Sequence, residues 1–162
     1  MTLGLVILAL VTLQRFAELW ISNRNTRRLL AKGAVEQGRS HYPWLVAVHG
    51  LWLGVLWLVA PSRPVNFFWL AIYLLLQVAR GWVLATLGSR WTTRIIVLPG
   101  EPLVKRGPYR LLDHPNYVVV AGEIAVLPLV FGFWDLAILF SLLNAAVLSI
   151  RIREEDKALD RG

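Results

Sequence analysis

The sequence predicts an all-α integral membrane protein, a single domain built as a bundle of five transmembrane helices. Apolar runs recur along the 162 residues, each close to the about twenty residues that a helix needs to cross a bilayer. Hydrophobic residues make up 57% of the chain and the mean hydropathy is +0.58, which is too apolar for a soluble domain of this size. Helices are the expected spanning structure because backbone polar groups must be satisfied within lipid.

Breaks in the apolar pattern separate the predicted spans. The Pro-Ser-Arg-Pro segment at 61–64 separates the second span from the third, and residues 132–135 form a short hairpin between the last two. The first run lacks both a basic start and a small-residue cleavage site, so it is predicted to be a retained helix, not a signal peptide. The predicted spans are 2–21, 43–60, 66–88, 117–132 and 134–151, with a loop over 89–116 and a C-terminal helix extension over 151–162.

The connecting segments differ sharply in basic residues. Fourteen Lys and Arg fall in the first loop, the third loop and the tail, whereas the second and fourth loops hold only Arg63. Positively charged loops stay on the cytoplasmic side of a membrane. The N-terminus is therefore predicted outside, with the first loop, the third loop and the tail cytoplasmic. The net charge of +7 reflects this topology, since no soluble segment carries a basic stripe with interleaved aromatics for nucleic acid.

All five predicted spans carry polar side chains inside their apolar runs. At 1.5 Å of rise per residue, several lie at a common depth, roughly 9–12 Å from the cytoplasmic end of their helix. A charge at the centre of a bilayer costs about 3 kcal/mol, so such residues normally face a cavity or one another. The residues are Gln14, Arg15, Glu18, His49, Gln77, Arg80, Glu123 and Asn144.

Two interpretations of these intramembrane residues remain open. In the first, Arg15–Glu18 and Arg80–Glu123 are structural ion pairs and His49 only packs. In the second, the residues line a polar pocket that opens to the cytoplasm, next to apolar space for a lipid tail. The candidates for that substrate pocket are His49, Arg80, Glu123 and Asn144.

Two polar stretches lie outside the spans. Residues 107–117 read Gly-Pro-Tyr-Arg-Leu-Leu-Asp-His-Pro-Asn-Tyr, and the tail from residue 151 reads Arg-Ile-Arg-Glu-Glu-Asp-Lys-Ala-Leu. The predicted topology puts both on one face, where they can meet and form a site. A structural interpretation is also open: Asp113 or Asn116 caps the fourth helix, and Arg151 with Glu155 forms a surface ion pair.

These stretches together carry a family resemblance. The matching elements are Leu103-Val104, Gly107-Pro108-Tyr109, His114-Pro115-Asn116-Tyr117, Arg151-Ile152 and Glu155-Asp156. Over residues 90–159 the chain resembles the isoprenylcysteine carboxyl methyltransferase family of integral membrane enzymes. It is most similar to the short bacterial branch, some members of which are linked to O-methylation of long-chain polyketides such as alkylpyrones. The resemblance implies a non-Rossmann methyltransferase in a bacterial inner membrane that uses S-adenosylmethionine and releases S-adenosylhomocysteine.

The resemblance also assigns site residues. It implies Arg151 and Glu155 as catalytic residues, with Arg151 orienting the substrate. Two positions depart from the family pattern: Asp113 stands where an arginine usually precedes His-Pro, and Asp156 stands where the family usually has glutamate. The implied cofactor-binding residues are Glu101, Pro102, Leu103, Val104, Tyr109, His114, Pro115, Asn116, Tyr117 and Glu155.

The implied reaction is methyl transfer to a carboxylate or an acidic hydroxyl of a lipophilic acceptor, either prenylcysteine-like or alkylpyrone-like. Glu155 would compensate the charge of the sulfonium, and Arg151 would hold an oxyanion through charge-assisted hydrogen bonds. A carboxylate acceptor needs no base, whereas a phenol needs one, for which Glu155 or His114 is the candidate.

Two alternatives remain: a phospholipid N-methyltransferase and a non-enzymatic membrane interaction protein with the tail as its interaction helix. The expected partners are the lipophilic substrate and membrane lipid. No metal is expected, because the chain has no Cys and its histidines are scattered without ligand spacing at His41, His49 and His114.

Overall fold

The structure, a computed structural model, describes residues 2–159 and is mostly helical over that range. The described chain has five α-helices, which confirms the all-α prediction, and a two-stranded sheet that was not predicted. The helices are α1 (Leu3–Ala31), α2 (Tyr42–Val59), α3 (Phe67–Leu87), α4 (Pro115–Val130) and α5 (Trp134–Ala158), and the strands are β1 (Val35–Gln37) and β2 (Ile95–Val97).

Four helices, α1, α2, α3 and α5, are long and apolar enough to cross a membrane among the described residues. The fourth, α4, is apolar but has only 16 residues, fewer than the about 20 that a span requires. It packs between α3 and α5 and has more buried residues than any other helix. Most of α4 therefore faces protein, while large apolar side chains on the other helices point outward, as lipid-facing residues do.

The helix ends agree with the predicted span ends to within two residues except at two places. Helix α1 continues ten residues past the predicted end at 21, because its polar last turns pack against the third loop. There the Asn25 side-chain amide donates to the carbonyl oxygens of Gly88 at 3.2 Å and Trp91 at 2.8 Å. Helix α5 continues to Ala158, within the predicted extension, and residues 160–162 of that extension lie outside the described residues.

The small sheet joins the first loop to the third. Strands β1 and β2 pair antiparallel, with Glu36 opposite Ile96. The Glu36 carboxylate accepts hydrogen bonds from Arg94 at 2.8 Å and from Arg39 at 3.0 Å. Because of this pairing, residues 91–97 are held at one end of the bundle, beside the ends of α1 and α5. We call this the loop end.

The apolar core fills the opposite part of the bundle. It is formed by buried side chains from all five helices, including Leu8, Trp52, Tyr73, Leu127 and Phe140. The Asn66 side chain accepts from the backbone amides of Phe68 and Trp69 and so caps the start of α3.

Candidate active site

Tyr117 connects the two polar stretches of the sequence, residues 107–117 and the tail from residue 151. It lies in the first turn of α4, and its hydroxyl donates a hydrogen bond to Glu155 Oε2. The same hydroxyl accepts from Arg151 Nε at 2.8 Å. Arg151 is buried, with 4% of its surface exposed. The interpretation of Arg151 and Glu155 as a surface ion pair is therefore wrong, because a tyrosine hydroxyl connects them and the guanidinium is buried.

A second contact fixes the Arg151 guanidinium. One terminal nitrogen donates to the carbonyl oxygen of Thr93 at 2.6 Å. Thr93 is in turn held by Ser22 of α1, whose hydroxyl accepts from the Thr93 amide at 2.8 Å. The Thr93 hydroxyl lies 3.1 Å from the Tyr42 hydroxyl. The other terminal nitrogen, Nη1, is buried and has no hydrogen-bond partner among residues 2–159. Tyr117 and Thr93 thus orient the arginine from two sides, and Nη1 remains as an unused donor.

His114 is held against the tail of α5. Its Nε2 lies 2.8 Å from Asp156 Oδ1 and its Nδ1 lies 3.8 Å from Glu155 Oε2. Its ring stacks on that of Tyr117 with centroids 5.3 Å apart. The shorter aspartate at position 156 therefore still reaches the histidine. Asn116 does not cap α4 through its side-chain oxygen, because Oδ1 has no hydrogen-bond partner among residues 2–159, and α4 begins at Pro115 after His114.

A cavity of about 140 Å³ lies at the loop end, which we call the loop cavity. Most of the predicted cofactor-binding residues line it: Glu101, Leu103, Val104, Tyr109, His114, Asn116, Tyr117 and Glu155. Pro102 and Pro115 do not line it. Pro115 is buried in the first turn of α4, and the Pro102 carbonyl accepts from Arg90 at 3.0 Å. Asp113, the charge-reversed position, does line it.

One wall of the loop cavity is formed by residues that the sequence did not predict to bind the cofactor. Strand β2 and its neighbours, residues 90–98 apart from Thr93, contribute that wall. Arg90 also forms an ion pair with Glu101 at 3.3 Å. A three-residue strand carries too little alternation to be recognised, and the pairing with β1 depends on a contact between segments sixty residues apart.

A second cavity, of about 280 Å³, lies inside the helix bundle and has a mostly apolar lining. We call it the bundle cavity. Among the predicted substrate-pocket residues, His49 and Arg80 line it, whereas Glu123 and Asn144 do not. Asn144 is buried at 1% exposure, and its Oδ1 has no hydrogen-bond partner within the described range.

The two cavities share four lining residues, which we call the shared wall: Trp91, Asn116, Tyr117 and Arg151. Three of the four have a buried polar atom without a hydrogen-bond partner among the described residues. These atoms are Trp91 Nε1, Asn116 Oδ1 and Arg151 Nη1. Buried polar groups are normally satisfied, so an unsatisfied set between two cavities is a place where ligand atoms can bind.

Four charged side chains form an ionic cluster inside the bundle: Arg15, Glu18, Arg80 and Glu123. The predicted pairs Arg15–Glu18 and Arg80–Glu123 both form, and Arg15 also donates to Glu123 at 2.6 Å. Gln14 donates to Glu18 and Gln77 to Glu123, each at 2.9 Å. Every carboxylate oxygen in the cluster therefore has a donor.

A known protein family matches more than half of the chain. A model of the isoprenylcysteine carboxyl methyltransferase (ICMT) family matches residues 69–161, which include most of the loop cavity and all of the shared wall. The chain belongs to this family. As an ICMT family member with a bundle of apolar helices, it is a membrane-embedded methyltransferase.

Two curated relatives are similar over nearly the whole chain. The uncharacterized protein YpbQ of Bacillus subtilis (strain 168) is 41% identical over 161 residues, covering 95% of each chain. An uncharacterized protein of Haemophilus influenzae is 26% identical over 151 residues, covering 90% of this chain and 88% of the relative. No solved structure matches this chain.

Metal ligation has no candidate group among residues 2–159. No set of three His, Asp or Glu side chains there is placed to hold an ion. His114 is the histidine of the loop cavity, and its neighbours are the two tail carboxylates. The chemistry available at the site is therefore that of a buried guanidinium, a tyrosine hydroxyl, carboxylates and one imidazole.

Proposed function

We propose that this protein transfers the methyl group of S-adenosylmethionine to an oxygen atom of a lipophilic acceptor. The observation that carries the proposal is the pair of cavities that share one wall. The loop cavity has carboxylates, an imidazole and an asparagine, whereas the bundle cavity is largely apolar and lies among helices. A methyl donor with charged groups suits the first, and a lipid suits the second.

The residues of the loop cavity fit the methyl donor. S-Adenosylmethionine supplies an electrophilic methyl group on a positively charged sulfonium. Glu155 faces the cavity with a carboxylate that compensates such a charge, and Asn116 Oδ1 is a buried acceptor with no partner among the described residues. Glu101 offers a second carboxylate for an ammonium group. Apolar side chains of the 95–98 segment give a surface for an aromatic ring.

Arg151 is placed to hold the acceptor oxygen. Its Nε and one terminal nitrogen are already used by Tyr117 and Thr93, so its orientation is fixed before the acceptor binds. The remaining nitrogen, Nη1, is buried at the shared wall and can donate to an oxyanion. A charge-assisted hydrogen bond there would orient the nucleophile, and positioning of this kind lowers the barrier by avoiding reorganisation during the reaction.

The acceptor decides whether a base is needed. A carboxylate is already ionised at neutral pH and would attack directly, as would an acidic hydroxyl once ionised. A weaker hydroxyl would transfer its proton to Glu155 or His114, both of which face the loop cavity. His114 would be held in place for this by its contact with Asp156.

The distribution of charge supports an orientation in the membrane. Fourteen basic residues fall in the first loop, the third loop and the tail of the sequence, segments that the positive-inside rule would place in the cytoplasm. The N-terminus would then face outward across a bacterial inner membrane. The soluble methyl donor would enter from the cytoplasm and the acceptor from the bilayer.

Oxygen is the acceptor atom that the shared wall favours over nitrogen. A buried guanidinium beside the reacting atom stabilises an anionic nucleophile and opposes the cationic product of amine methylation. A phospholipid N-methyltransferase would therefore need a different residue at position 151. A purely structural role for the loop and tail would not require unsatisfied polar atoms between two cavities.

Labelled methyl transfer tests this proposal. Detergent-purified protein would be incubated with methyl-labelled S-adenosylmethionine and bacterial lipid extract, and the labelled lipids separated by class. We expect label in an ester or an ether that depends on Arg151. Label in an ethanolamine headgroup would favour N-methylation, and no label in any lipid would contradict the proposal.

A further inference from the structure

The bundle cavity has a second polar region apart from the shared wall. His49 and Trp52 are three residues apart on α2, so they lie on one face of the helix about one turn apart. Both line the bundle cavity. Trp52 is 1% exposed, and its indole N–H has no hydrogen-bond partner among residues 2–159. An apolar cavity for a simple hydrocarbon tail would not need this donor.

The tautomer of His49 follows from its backbone contact. Nδ1 lies 2.8 Å from the carbonyl oxygen of Leu45. A carbonyl can only accept, so Nδ1 carries the proton, and in the neutral ring Nε2 remains as an acceptor. One turn of α2 therefore presents an acceptor from His49 and a donor from Trp52. A hydroxyl group, which donates one hydrogen bond and accepts others, is complementary to this pair.

The neighbouring ionic cluster argues that the group is neutral. Two arginines and two glutamates balance their charges there, and Gln14 and Gln77 complete the bonds to the carboxylates. Arg15, Glu18 and Arg80 border the cavity. A second charged group on the acceptor would be buried without a free counter-ion, which is costly. A neutral hydroxyl needs no counter-ion.

The helix geometry gives the spacing along α2 between His49 and the loop end of the cavity. Tyr42, at the loop end of the bundle cavity, and His49 are seven residues apart on α2, or about 10 Å along the helix axis. Between these levels the cavity is lined by apolar side chains, among them Leu45, Val46 and Leu148. The lining of the cavity is therefore polar at the shared wall, apolar in between, and polar again at His49 and Trp52.

We infer that the acceptor lipid carries, besides the oxygen that is methylated, a neutral hydroxyl further along its chain, bound between His49 and Trp52. This inference rests on the proposed function, because it takes the shared wall as the place of methyl transfer. It narrows the acceptor to lipids oxygenated within the chain and disfavours plain saturated tails.

Fatty acids of one chain length test the inference, with the carboxylate as the group that binds Arg151. Affinities of palmitate and of palmitates with a hydroxyl at successive mid-chain positions would be measured by calorimetry on protein saturated with S-adenosylhomocysteine. We expect one mid-chain position to bind about tenfold more tightly than palmitate, the ratio given by one well-formed hydrogen bond. Equal affinities along the series, or no binding by any acid, would overturn the inference.

Two variants identify the residues. Trp52→Phe removes the indole N–H and His49→Leu removes the ring acceptor, and each is expected to abolish the preference while palmitate binds as before. Trp44→Phe is the matched control, because Trp44 lies on the same helix, is 68% exposed and does not line the cavity. A preference that survives both cavity variants would contradict the assignment.

The failure of this inference is distinguishable from the failure of the proposed function. Saturation with S-adenosylhomocysteine is measured first and does not depend on the bundle cavity. A protein that binds this product without a preference among the acids would keep the methyltransferase proposal and lose the hydroxyl. A protein that does not bind S-adenosylhomocysteine would lose both.

Discussion

The ionic cluster and the shared wall are both buried polar arrangements, yet they differ in completeness. In the cluster each carboxylate oxygen of Glu18 and Glu123 accepts a hydrogen bond from Arg or Gln. On the shared wall Asn116, Trp91 and Arg151 each keep a buried polar atom without a partner in the described chain. The comparison teaches that the carboxylates joining the helices are fully bonded, with only Arg15 Nε unpaired in the cluster. Three of the four residues of the shared wall, in contrast, keep an unpaired polar atom that a ligand can use.

The largest effect is expected in the cluster. Replacing Glu123 by Ala would leave Arg15 and Arg80 facing each other without their common carboxylate. Breaking a buried pair in this way costs about 3–5 kcal/mol of unfolding free energy. The measurement is the thermal unfolding of the protein in detergent.

A surface pair provides the control for that loss. Glu154 lies 3.2 Å from Lys157, and both side chains are exposed. Glu154→Ala should change the unfolding free energy by less than about 1 kcal/mol. If the two glutamate variants were equally stable, the cluster would not be holding the helices together.

The second effect concerns Arg151 and separates catalysis from cofactor binding. Arg151→Ala removes the only donor proposed for the acceptor oxygen, so methyl transfer should fall by about 10²–10³-fold. Affinity for S-adenosylhomocysteine should change by no more than a few fold. The measurement pairs a labelled-methyl assay with a binding titration.

The neighbouring Arg153 is the matched control for Arg151. It lies two residues further along α5 and is exposed, so Arg153→Ala should keep both activity and affinity. Loss of cofactor affinity in the Arg151 variant, with activity retained, would reverse the roles proposed for the two cavities.

Tyr117→Phe is expected to have an intermediate effect. The ring and its stacking on His114 remain, but the hydroxyl that connects Arg151 with Glu155 is lost. The guanidinium is then held only through Thr93, and kcat should fall about tenfold, the cost of one hydrogen bond to a charged group. Steady-state kinetics check this, and an unchanged kcat would show that the Thr93 contact alone orients Arg151.

The smallest effect is a pH dependence of stability through His41. Burial, followed by the charge of Arg151, lowers the pKa of His41 from its ordinary value of 6.5. The unfolded chain therefore binds the proton first, so stability is complete above pH 6.5 and declines as the pH falls below it. Melting temperatures of the wild type and His41→Gln between pH 7 and 5 test this, and parallel curves would exclude a contribution from His41.

Much of the site could be predicted from the sequence because its residues lie in two short segments. Tyr117, Arg151 and Glu155 stand in the loop and tail patterns, and the structure brings them into direct contact. The contribution of Thr93 could not be predicted, because it acts through its backbone carbonyl, to which side-chain identity gives no clue.

The limits of the fold prediction have similar physical causes. Hydropathy located the apolar part of α1 but not its last ten residues, which are polar and are held by Asn25 packing against the third loop. The charged residues that the sequence places at a similar depth in the membrane do lie together in the structure, as the ionic cluster. Their depth did not show that Arg15 and Arg80 share Glu123, nor that Asn144 lies away from both cavities. Such partners depend on the rotation of each helix about its axis.

Calorimetric titration of S-adenosylhomocysteine into the detergent-purified protein tests the central claim most directly, with Glu155→Ala and Arg153→Ala measured beside the wild type. The account predicts saturable binding that is unchanged in the Arg153 variant and at least about tenfold weaker in the Glu155 variant, where the carboxylate of the loop cavity is lost. Absence of binding by folded wild-type protein, or equal affinity in the Glu155 variant, would contradict it.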